Sequence, residues 1–121
     1  MSEAKIRNRI SDAALRSALA ELDRKLHARF GRRYSRLILF GSRARGDNRP
    51  DSDADVAVVM YEHITDRWAL KRAIIQETYP ILLETGLYIQ AWPLAEAELE
   101  NPDKSPNPTL LRNVVGQGIT L

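Results

Sequence analysis

Leu37-Ile38-Leu39-Phe40-Gly41-Ser42-Arg43-Ala44-Arg45-Gly46 and, after a short loop, Asp51-Ser52-Asp53-Ala54-Asp55-Val56-Ala57-Val58-Val59 are the stretch around which the rest of the chain can be read. The first apolar run has the length and composition of a strand buried on both faces. Gly41-Ser42 follows as a turn, then a basic segment, then a second strand whose entry carries alternating carboxylates. Asp53 and Asp55 are two positions apart, so on an extended backbone they share a face, with Cα atoms roughly 6.5–7 Å apart. Two acids held that close repel each other unless a cation or a proton lies between them. Hard oxygen donors in that number suit Mg²⁺, which takes one or two carboxylates and completes its shell with water and substrate phosphate. Gly41 lacks a Cβ where a phosphate would approach the backbone. Ser42 adds a hydroxyl and an amide at the strand exit, where phosphate-binding turns sit. One half of the stretch can thus hold a polyphosphate and the other its metal; the plainer reading is a Gly-Ser turn and an acidic strand start that only punctuate a hairpin.

Upstream, residues 1–10 are polar, with Ile6 and Ile10 as the only apolar anchors. Ser11 is expected to cap a helix, with Asp12 at its positive end. Leu15, Leu19, Leu22, Leu26 and Phe30 recur on one helical face, and Gly31 ends it. Leu37–Phe40 is the first strand. Arg43–Arg45 opens a short helix, the turn formers of 46–51 follow, and Ala54–Met60 is the second strand. Thr65 or Asp66 caps a long helix with Leu70, Ile74 and Ile75 inward. Pro80 predicts a kink or break near Tyr79, and Gly86 closes the segment. Leu87–Trp92 is a third strand ended by Pro93, followed by a helical turn over 95–99 and a loop over 101–107. Pro108 begins a last helix with Leu110, Leu111 and Val114 inward and Gly116 at its end. This order predicts an α/β (α+β) fold, a small mixed sheet with helices packed mainly on one face. Residues 1–121 read as a single domain with a core over about 36–94.

Composition narrows the function classes. The chain has 121 residues, 44% hydrophobic and 28% charged, as in ordinary globular proteins. No apolar run approaches the ~20 residues that span a bilayer. Met1-Ser2-Glu3-Ala4-Lys5 does not resemble a secretory leader, so a cytoplasmic protein is expected. The absence of cysteine removes disulfides, thiolate zinc sites and cysteine nucleophiles together. The net charge is only +2, and the arginines fall in two small groups: Arg29, Arg32, Arg33 and Arg36 near Gly31, and Arg43, Arg45 and Arg49 after Ser42. Nucleic-acid binders carry longer basic faces interleaved with aromatics, so solvated loops are the simpler reading. His27, beside the first helical stripe, is read as a partly exposed helix residue rather than a metal ligand. Arg45 has Asp47 or Asp51 within reach as a partner.

Gly41-Ser42, ten residues, then Asp53-x-Asp55 resembles the signature of the nucleotidyltransferase superfamily that includes DNA polymerase beta. With Gly-Ser-Arg-Ala-Arg-Gly over 41–46, the pattern is most similar to the minimal nucleotidyltransferases, relatives of which are antitoxins to HEPN-domain toxins. That resemblance implies a polymerase-beta-like fold and Mg²⁺, one or two ions, held by Asp53 and Asp55. It implies ATP or another NTP bound through Gly41 and Ser42 with help from Arg43, and transfer of the nucleoside monophosphate to a hydroxyl. A tyrosine of a HEPN toxin, in a hetero-oligomer, is the acceptor it suggests.

One position departs from the pattern. The superfamily carries a third acid on the next strand, where this chain has Gln90. An amide oxygen can ligate a cation, but it brings no charge and cannot act as a base. The second reading is therefore an antitoxin of the same fold that is weak or inactive in catalysis and neutralises its partner by binding. A third is transfer to a small hydroxylated molecule, for which the chain is short. Glu96 and Glu98 read as a solvated helix face, though either could substitute for the missing acid. Trp92, on the same strand face as Gln90, reads as a packed aromatic or as a platform for a base.

Overall fold

A computed structural model describes residues 12–49 and 52–121 of the chain. The expected cap at Ser11, the anchors Ile6 and Ile10, and Asp51 in the turn lie outside the described residues. In chain order the elements are α1 (Asp12–Phe30), β1 (Tyr34–Phe40), α2 (Ser42–Arg45), β2 (Ala54–Met60), α3 (Arg67–Thr85), β3 (Ile89–Ala95), α4 (Glu96–Glu100), α5 (Pro108–Gln117) and β4 (Ile119–Thr120). The strands form one mixed sheet in the order β3-β2-β1-β4. β1 runs antiparallel to β2 and β4, and β2 runs parallel to β3.

Register sorts the side chains into two faces, because residues facing each other across paired strands point the same way. Phe40, Asp55 and Gln90 lie in one row, and Ile38, Ala57 and Trp92 in the next. The opposite face carries Leu37, Leu39, Val56, Val58 and Ala91, packed with Leu15, Leu19, Leu22 and Leu26 of α1 and Leu70, Ile74 and Ile81 of α3. Both long helices thus cover one face. Only Leu111 and Val114 of α5 are buried against the other, where they meet Ile38, Phe40, Ala57, Val59 and Leu94. Among the described residues no helix is long and apolar enough to cross a membrane.

Several local expectations shift. β1 begins at Tyr34, three residues before the apolar run, because partners far along the chain satisfy its polar start. Tyr34 donates to Asp23 on α1 (2.6 Å), and Ser35 and Arg36 donate to Glu96. The arginine group near Gly31 is likewise engaged: Arg36 pairs with Glu96, and Arg29 lies 3.8 Å from Glu77. His27 sits 3.8 Å from Asp23 and edge-on to Tyr34, an exposed helix residue as read.

Asp66 caps α3 by accepting from the Ala69 amide, but Pro80 does not end that helix. A proline removes one internal hydrogen bond. Ile74 and Thr78 before it and Ile81 after it are all buried, so packing carries the helix across. Pro93 does not end its strand either. β3 is an edge strand with its outer side unpaired, and an edge tolerates a residue that has no N–H to give. α5 runs through Gly116 to Gln117, and the short β4, with no signal in the sequence, pairs with Ile38 and Leu39.

Candidate active site

The turn after β1 and the entry to β2 meet at one end of the thinly covered face. Gly41 has φ +75°, a conformation that side chains with a Cβ rarely adopt, and its carbonyl accepts from the Ala44 and Arg45 amides to start α2. Asp55 fills the space that glycine leaves. A Cβ built at Gly41 would stand 2.5 Å from Asp55 Oδ2. The other carboxylate oxygen, Oδ1, accepts a long hydrogen bond of 3.5 Å from the Trp92 indole N–H. The carboxylate is therefore held between a bare Cα on β1's exit and an aromatic donor on β3.

Burial raises the Asp55 pKa above the ordinary 3.8; the Trp92 bond opposes that rise, the negative charge of Asp53 adds to it, and the positive charge of Arg45 opposes it. Asp53 is exposed, two residues before Asp55 at the entry to β2, and close enough for its charge to be felt. A partly buried carboxylate beside a second one is the electrostatic setting that a divalent cation relieves.

Gln90 lies directly across from Asp55 on β3, half-buried and on the same face. The donors on offer are two carboxylates and one amide oxygen, hard ligands that fit one ion of the Mg²⁺ type with water and phosphate completing its shell. Among the described residues no group of three or more His, Cys, Asp or Glu side chains gathers to hold a metal. A second divalent ion would bring two more positive charges with no added protein anion to meet them.

Arg45 takes Asp47, one of the two partners its sequence offers, while Arg43 turns inward. Arg43 is buried, and its Nε donates to the Ser52 carbonyl (2.8 Å), fastening α2 to the residue before Asp53. It borders a cleft shared with Leu15 and Leu19, on the side of the long helices. Arg45 is exposed, bonded to Asp47 (3.1 Å) and Gln117 (3.0 Å), and is the arginine whose charge reaches Asp55. Nothing local distinguishes the two, since i and i+2 on one short helical turn simply face opposite sides. Trp92's bond to Asp55 was also beyond sequence reasoning, although alternation on β3 had put Trp92 and Gln90 on one face. Glu96 and Glu98 stand away from the carboxylates, paired with Arg36 and Arg67.

No curated protein matches the chain. A candidate nucleotidyltransferase from Sulfolobus solfataricus, of known crystal structure, superposes with a TM-score of 0.61 at 18% identity, covering 99% of this chain and 87% of that one. At that identity the likeness is one of fold. A toxin-antitoxin structure solved with AMP-PNP has a TM-score of 0.49 at 22% identity, over 82% of this chain and 68% of that one, too distant to carry an argument. The family profile of the nucleotidyltransferase domain matches residues 19–107, which takes in the Gly41 turn, the carboxylate strand and β3. A mixed sheet of this topology, a glycine-serine bend under a carboxylate, and a profile spanning most of the chain agree: the protein belongs to the nucleotidyltransferase domain family.

Proposed function

We propose that the chain binds a nucleoside triphosphate, ATP in our reading, as its Mg²⁺ complex and transfers the nucleoside monophosphate to a hydroxyl. The acceptor we propose is a tyrosine of a HEPN-type toxin partner in a hetero-oligomer, the protein acting as antitoxin. That acceptor rests on the resemblance of residues 41–55 to minimal nucleotidyltransferases. The observation that supports the chemistry best is the close approach of Asp55 to Gly41, which brings the glycine-serine turn and the acidic strand together.

In this reading Asp53 and Asp55 hold the cation, which neutralises the triphosphate when bound. Gly41 and Ser42 face the phosphates, and Gln90 can lend its amide oxygen. Arg43, expected to meet phosphate directly, contributes by fixing the Ser52 carbonyl beside Asp53. The acceptor oxygen attacks the α-phosphorus as the bond from that phosphorus to the bridging oxygen breaks, and pyrophosphate leaves. The hydroxyl proton passes to water, since both carboxylates are committed to the cation and Gln90 has no basic atom. Phosphoryl-type transfer depends mostly on positioning and charge neutralisation, so the reaction runs without that base, slowly.

The test is to incubate the protein with MgATP and a HEPN-type toxin and weigh the toxin. A mass gain of one nucleoside monophosphate is expected with the wild type and is expected to vanish in Asp53→Asn/Asp55→Asn. ATP binding that persists unchanged in that double variant would remove the carboxylates from the site and end the proposal.

Gln90, at the register position beside Asp55, favours one alternative: a binder that silences its partner without modifying it. Neutralisation by the double variant with no mass gain from either protein would select it. For the enzyme reading, Gln90→Asp is expected to tighten divalent-ion binding and speed turnover.

A further inference from the structure

Trp92 borders two spaces. Its N–H faces Asp55, while its ring lines a cavity of about 450 Å³ at the free edge of β3, within the size range of small-molecule sites. Leu94 and Leu111 form apolar wall, Trp68 stands at the border with 66% of its surface exposed, and Asn107 sits at the rim. Lys71 places its Nζ 5.2 Å from the centre of the Trp92 ring.

We propose that this cavity receives the nucleobase of the triphosphate, stacked on Trp92, while the phosphates lie at the Gly41–Asp55 end. The inference rests on the function proposed above and extends it to the part of the substrate that the 41–55 motif does not reach. Continuity is the first argument: one side chain touches the carboxylate and walls the cavity, so a ligand held at Asp55 meets Trp92 next. Lining chemistry is the second. Aromatic and aliphatic walls, with the Asn107 amide at the rim and the Lys71 ammonium over the indole, suit a flat, neutral heteroaromatic with polar edges. The third concerns the rival occupant, a peptide strand added to β3. Arg67 already donates to the Pro93 carbonyl, Glu98 accepts from the Ala95 amide, and Pro93 has no N–H, so this part of the edge has little left to pair.

The test compares ATP with ribose 5′-triphosphate, each with Mg²⁺, by the fluorescence of Trp92. The chain has two tryptophans, so Trp68→Phe leaves Trp92 as the sole indole. ATP is expected to quench Trp92 and to bind on the order of tenfold more tightly than the abasic triphosphate. Trp92→Ala, followed by calorimetry, is expected to erase that ratio, and Trp92→Phe, which keeps a stacking face, to retain most of it. Because loss of the Asp55 contact weakens both probes alike, the ratio isolates the base. Leu110→Trp, which fills the cavity from α5 without altering Trp92, provides a second variant and is expected to bring ATP down to the abasic level. Equal affinity for the two probes in the wild type, or a ratio unmoved by these variants, overturns the base site; Asp55-dependent binding of both probes would then leave the proposed function standing. Failure of both triphosphates to bind ends both.

Discussion

The two faces of the sheet are built from the same strands and have opposite economies. On β2, Val56, Val58 and Met60 point towards α1 and α3 and are sealed under two 19-residue helices. Asp55, Ala57 and Val59 alternate with them and point to a face covered by the 10-residue α5 and by Leu99 of the short α4. The short cover closes over Ala57 and Val59 and leaves Asp55 half-buried at the open end. Stability is concentrated on one side of a strand and ionisable groups on the other, so each can be altered with limited cost to its opposite.

That division can be broken from the closed side first. Leu22→Ala, at a fully buried position on α1, is expected to lower unfolding free energy by about 2–5 kcal/mol in urea melts. Mg²⁺-dependent ATP affinity of the fraction that remains folded should be unchanged; a matching loss of affinity would mean that the faces are coupled. Gly41→Ala attacks the boundary. Its positive φ alone costs about 1–3 kcal/mol, and the added methyl must displace the Asp55 carboxylate, so calorimetry should show lost Mg²⁺ binding beyond what the modest destabilisation explains.

The smallest effect is expected from the polar tie on the thin side. Burial raises the Glu96 pKa, but hydrogen bonds from Arg36 and Ser35 and the Arg36 charge outweigh it, leaving the carboxyl below its ordinary 4.5. A depressed folded pKa adds stability that is present above the unfolded value and is lost as pH falls through the folded one. Glu96→Gln should therefore cost about 1 kcal/mol at pH 7, since the pair is partly exposed, and the gap to wild type should close in acid thermal melts. A gap that stayed constant below pH 4.5 would point to lost packing instead.

Periodicity made α1, β2 and the one-sided cover by the long helices readable, because each depends on residues a few positions apart. Tyr34-Ser35-Arg36 looked like loop because the groups that make it strand, Asp23 and Glu96, are distant in sequence. Pro80 and Pro93 misled for a related reason: a proline's local penalty is visible, but the packing under α3 and the vacant outer side of β3 that absorb it are tertiary facts. At the site, the spacing of Gly41, Asp53 and Asp55 announced the pair and its turn. The inward course of Arg43, the outward course of Arg45 and the reach of Trp92 needed the folded chain.

The Gly41–Asp55 contact also links two positions in descent. As long as a carboxylate occupies that space, selection at residue 41 is steric as well as conformational. In a lineage that abandoned the acid, the steric ban would lapse and only the dihedral would still favour glycine. Paired drift at these two positions would then mark members of the family that have given up the chemistry and kept the shape.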